Sequence, residues 1–162
     1  MIDPIRFLFD ASAIGKPAVE HLARVLELDK IEPKAEVKHL LHFEKPDEWD
    51  ENWIPRVAQG GWIVIAGDRG TRGGILKGEA LPRVCFNNGV SHVLLSRRIG
   101  SRKTWDKLRT ILFVWKELIA VGSYPKGSRF MLEPSGTDLG RGRLVHKIVE
   151  AAKHPDAPAA DS

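Results

Sequence analysis

The sequence lacks most of the residues that staple or anchor small proteins. Cys85 is the only cysteine in 162 residues, which excludes an internal disulfide framework and a zinc site built from several thiolates. Alone, Cys85 is expected to be a small core residue. No apolar run approaches the ~18 residues of a membrane-spanning helix, and Asp3 and Pro4 break the basic-then-apolar order of a signal peptide. A cytoplasmic protein with no membrane partner is expected. His21, His39, His42, His92, His146 and His154 are scattered, without the paired spacing of a zinc-binding helix. Gly67, Gly70, Gly73 and Gly74 follow an apolar run but do not match G-x-G-x-x-G, and no serine elbow or internal repeat is present.

What remains is a chain of ordinary globular composition, 43% apolar and 28% charged, long enough for one domain with a real core. The formal charge of +4 and pI near 9.3 favour a polyanionic partner. The charges are also segregated. Residues 44 to 51 hold five acids, whereas cations recur at Arg69, Arg72, Lys77, Arg83, Arg97, Arg98, Arg102, Lys103, Lys107 and Arg109. An acidic spot in a basic surround suits a metal site that acts on a phosphate chain.

Gly60-Gly61-Trp62-Ile63-Val64-Ile65-Ala66-Gly67-Asp68 reads as a buried central strand with a carboxylate at its end. Ile5 to Asp10 is a first strand that also ends on an acid, followed by a turn and a helix from about Lys16 to Leu28 with Pro17 in its first turn. Glu36 to Leu41 is a second strand at a less buried position or sheet edge. Asp50 falls at or beside the N-cap of a short helix carrying Trp53, Ile54 and Val57, with Pro55 expected near its first turn. After Asp68 come a basic loop, a helix from about Lys77 to Asn88, a strand at Ser91 to Leu95, and a long helix from about Lys103 to Val121. The long helix places Trp105, Leu108, Ile111, Leu112 and Trp115 at helical spacing, so its tryptophans are expected in the core. Arg129 to Glu133 is a fifth strand, Leu144 to Ala152 a candidate helix, and the tail from His154 is expected to be loose.

Strands alternating with helices describe a doubly wound α/β domain with a mostly parallel five-stranded sheet and helices on both faces. Right-handed crossovers carry every strand's carboxyl end to one edge, so Asp10, Asp50 and Asp68 are expected to converge there. Two carboxylates about 4 Å apart repel by roughly 4 kcal/mol at an effective dielectric of 20. They therefore call for a shared proton or a cation, and oxygen-only ligands select Mg²⁺ or Mn²⁺. Arg69 and Arg72 become candidates for an incoming phosphate.

These residues resemble the PIN-like nuclease superfamily, in its small bacterial PIN-like branch. The likeness rests on Phe7-Leu8-Phe9-Asp10, on Asp50-Glu51-Asn52-Trp53-Ile54-Pro55, and on Gly61 to Arg69 with its aspartate-arginine end, and it spans about residues 5 to 136. The resemblance implies a PIN-like domain over 1–136 with 137–162 as a C-terminal extension. It also implies Mg²⁺- or Mn²⁺-dependent cleavage of RNA, frequently as the toxin of a toxin–antitoxin pair. Carried over by position, Asp10, Asp50 and Asp68 are catalytic metal ligands, and Ser12 orients Asp10 at the substrate site. The implied partners are RNA or another nucleic acid, an antitoxin protein and a second copy in a homodimer. Ala11 and Ser12 stand where the branch commonly has a basic residue and asparagine. A fourth acid has Asp47, Glu48 and Asp106 as candidates. Two other readings are a non-catalytic nucleic-acid or protein-binding module on this fold, and a phosphoacceptor role for Asp68. The second lacks both the paired acids after the first strand and the lysine after the last.

Overall fold

The computed structural model describes residues 3–40, 50–67 and 81–147. One six-stranded sheet forms the centre, built from β1 (Ile5–Phe9), β2 (Ala35–His39), β3 (Ile63–Gly67), β4 (His92–Leu95), β5 (Arg129–Pro134) and β6 (Gly142–Lys147) in the order β2-β1-β3-β4-β5-β6. The first five strands are parallel and β6 is antiparallel to β5. The helices are α1 (Lys16–Leu28), α2 (Asp50–Gln59), α3 (Leu81–Asn87), α4 (Arg97–Gly100), α5 (Thr104–Phe113) and α6 (Trp115–Val121). The chain is thus the doubly wound α/β domain expected, with a sixth strand added. Among the described residues no helix is long and apolar enough to cross a membrane.

The apolar strands are explained by burial on both faces. Phe7, Leu8 and Phe9 are all 0% exposed, and successive side chains of a strand point to opposite sides. Phe7 and Phe9 enter one core with Ile63, Ile65, α1, α5 and α6, while Leu8 enters the other with Val64, α2 and α3. Phe7 meets the Trp115 ring at 5.4 Å between centroids. On the opposite side Trp53 and Ile54 of α2 are at most 1% exposed. Each such fully buried side chain contributes about 1.5–3 kcal/mol. Cys85 is buried in this second core, as expected.

Four local expectations are corrected. Pro55 lies inside α2 rather than in its first turn, at a helix-breaking position that burial of Trp53, Ile54 and Val57 offsets. The long helix is two pieces, with Val114 leaving helical geometry at φ −97°, ψ 17°. Of its two tryptophans only Trp115 is core; Trp105 is 70% exposed because no element packs over that side of the first turn of α5. Finally, Gly142–Lys147 is a strand, not the start of a helix. Its Arg143 and Lys147 pair with Glu133 across the ladder at 3.4 and 3.3 Å, and His146 stacks on Phe130 at 4.8 Å. Gly142 permits the close approach, since a Cβ there would stand 2.8 Å from Thr110 Cγ2 and 3.0 Å from the Glu133 carbonyl oxygen. Residues 148–152 of that expected helix, and the tail, lie outside the described residues.

Candidate active site at the carboxyl edge

In the order β2-β1-β3 the chain leaves β1 to one side for β2 and later returns to the other side for β3. The helices of these two connections cover opposite faces, α1 in one core and α2 in the other. Between the carboxyl ends of β1 and β3 the connections therefore diverge and open a crevice, the place where open α/β sheets bind ligands. Asp10 stands there. Its amide donates to the Ile65 carbonyl at 2.9 Å, which extends the β1–β3 ladder one residue and fixes the start of its side chain.

Ser12 joins the two strand ends. Its hydroxyl donates to Asp10 Oδ2 in a short hydrogen bond and accepts from the Gly67 amide at 2.9 Å. The Ser12 amide also donates to Asp10 Oδ2 at 3.3 Å. One carboxylate oxygen is thereby held by two donors, the usual way a metal-ligating carboxylate is oriented from behind. The approach is tight enough to require glycine at 67, where a Cβ would lie 2.5 Å from the Ser12 carbonyl oxygen. Gly67→Ala is therefore expected to destabilise by about 1–3 kcal/mol through overpacking against backbone, read as a lowered urea midpoint. An unchanged midpoint would show that the turn has room to give.

Two further contacts fasten the turn after β1. Lys107 Nζ of α5 donates to the Ala13 carbonyl at 3.0 Å, and partial burial pulls the Lys107 pKa below the usual lysine value. His39 Nε2, at the end of β2, lies 3.2 Å from the Ile14 carbonyl oxygen and can donate to it. The turn that carries Asp10 and Ser12 is thus held from β2, β3 and α5. Of these anchors, Gly67 had a signal in the sequence, a small residue between an apolar strand and an acid. The parts played by His39 and Lys107 had none, because both pairings are tertiary.

The other expected site residues fall as follows. Asp50 is the first residue of α2, and its side chain lies outside the described residues, as do Asp68, Arg69 and Arg72, which follow Gly67 in the chain. Asp47 and Glu48 lie outside them too. Asp106 is in the first turn of α5, where it pairs with Arg109 at 3.4 Å. Among the described residues no group of three or more His, Cys, Asp or Glu side chains is placed to hold a metal.

The architecture and this crevice define a doubly wound α/β domain with a ligand edge at the β1–β3 switch. Residues 6–85 match the sequence model of the PIN-like domain family, and the chain belongs to the PIN-like domain superfamily. Its fold is accordingly of nuclease type, and members of the superfamily generally act as nucleases, typically with divalent metals. No curated protein matches the chain, and no solved structure does.

Proposed function

We propose that the chain is a metal-dependent endoribonuclease in which Asp10, Asp50 and Asp68 hold Mg²⁺ or Mn²⁺ at the carboxyl edge. The observation that supports this best is the Ser12 bridge. It orients Asp10 and ties the turn after β1 to Gly67, the residue directly before Asp68. Asp10 fits such an ion in donor type, being a hard oxygen ligand already hydrogen-bonded from behind. The ion would lower the pKa of a bound water and stabilise the leaving oxygen of a phosphodiester. Ser12 holds one oxygen of Asp10 in hydrogen bonds, while Lys107 and His39 keep the turn from shifting. Arg69 and Arg72, which follow Asp68 in the sequence, are assigned to the phosphates on charge. From the family resemblance the substrate is RNA in the cytoplasm, the partner an antitoxin protein and the assembly a homodimer.

The test is incubation of labelled RNA with the purified chain in Mn²⁺, in Mg²⁺ and in EDTA. Internal cleavage with either ion and none with the chelator is expected. Cleavage that persists in EDTA refutes the metal assignment, and binding without products in Mn²⁺ favours the non-catalytic binding module.

A further inference from the structure

The outer face of α5 carries a side chain that the fold does not use. Trp105 is 70% exposed, whereas Trp53, Trp62 and Trp115 are at most 7% exposed. Four, seven and eight residues further on, on the same helix face, stand Arg109, Leu112 and Phe113, all exposed, the last two at 40% and 53%. The Arg141 guanidinium lies 5.7 Å from the Phe113 ring centroid. Apolar plates and cations therefore alternate along one turn-by-turn row. Residues 97–116, which contain this row, hold seven lysines and arginines against one acid, Asp106.

The row lies beside the candidate site. On the other side of the same helical turn, Lys107 binds the Ala13 carbonyl, three residues beyond Asp10. A strand crossing the carboxyl edge at Asp10 would thus meet the first turn of α5.

We propose that this face is a binding site for single-stranded nucleic acid, with Trp105 as the plate on which an unpaired base stacks and the flanking cations facing the phosphates. This rests on the nuclease reading above and adds the form of the substrate. Charge selects the occupant: a polyanion complements the row, whereas a second copy docked about a two-fold axis would set the same cations against themselves. An unpaired strand is required because a base within a duplex has no face to offer.

The test measures binding without cleavage. Fluorescein-labelled oligouridylate of about 12 nucleotides is titrated with the full chain in EDTA at low salt, with a duplex of the same length as comparison. Trp105→Ala is expected to weaken single-strand binding about fivefold to 150-fold while Trp105→Phe keeps most of it, with melting temperatures unchanged for this exposed position. The single strand should bind more tightly than the duplex. Equal binding by Trp105→Ala, equal duplex binding, or no binding by the unaltered chain overturns the proposal. So does a dimer that dissociates in Trp105→Ala, which would make the face a contact between copies. If the unaltered chain cuts no RNA in Mn²⁺ yet its binding in EDTA falls with Trp105→Ala, the nuclease reading fails and the stacking site stands.

Discussion

Asp10→Asn is expected to reduce Mn²⁺-dependent RNA cleavage about 100-fold or more, the loss that follows from removing several kcal/mol of charge stabilisation at a metal centre. Folding should be almost untouched. The asparagine carbonyl can still accept from the Ser12 hydroxyl and amide, which now hold Asp10 Oδ2, so the turn and its tie to Gly67 persist. Only the negative charge is lost. Ser12→Ala does the reverse, sparing the carboxylate and removing the group that orients it and binds the Gly67 amide. Its cost in activity or metal affinity is expected to be about 10- to 100-fold, the usual range for a group that supports a ligand, and excess Mn²⁺ should restore part of it. Steady-state cleavage rates over a Mn²⁺ titration, with thermal melting of each variant, separate these outcomes. Equal activity of Asp10→Asn and the unaltered chain would remove Asp10 from the metal site.

How much of this could be read from the residues depended on whether the cause was local. The first and third strands were legible because both faces of each are covered, so their residues form unbroken apolar runs. Their carboxyl ends were marked by Asp10 and by the Gly67-Asp68 pair. β2 was correctly expected at the edge from its mixed pattern. Trp105 was misassigned because helical spacing records which residues share a face, not whether another element covers it. The apolar stripe expected in the core is divided: Ile111 and Trp115 are buried, while Trp105 and Leu112 face outward. β6 was missed because an antiparallel edge strand leaves most of its side chains half-exposed, and its cross-strand ion pairs with Glu133 leave no periodic apolar trace. In the candidate site the Asp10–Ser12 relation spans two residues and could be anticipated. Lys107 meets Ala13 across 94 residues and His39 meets Ile14 across 25, which no local pattern encodes.

His92 should make the fold acid-sensitive between about pH 6.5 and 4. It opens β4 in the middle of the sheet and is 0% exposed. Its Nδ1 lies 3.1 Å from the Val90 carbonyl oxygen and donates to it in the matching tautomer, while Nε2 is buried without a hydrogen-bond partner. Burial lowers its pKa to about 4, opposed by the Val90 hydrogen bond and assisted by the positive charge of Arg129. An unfolded histidine titrates near 6.5. As pH falls through this window the unfolded chain takes up a proton that the folded chain refuses, so folding stability declines with decreasing pH. The loss contributed by this one ring approaches about 3 kcal/mol near and below the folded pKa, a large fraction of the roughly 5–15 kcal/mol typical of a domain. Urea unfolding at pH 7.0 and 4.5 gives the total change, to which surface carboxylates also contribute. Repeating it with His92→Leu isolates the ring. The substitution should cost about 1 kcal/mol at neutral pH, where the Val90 carbonyl loses its donor, and then lose less stability on acidification than the unaltered chain, narrowing or reversing the difference. Parallel losses in the two proteins would show that His92 accepts its proton within the folded core. In that case the Nε2 side of the ring, rather than the β4 backbone, would have to open to water.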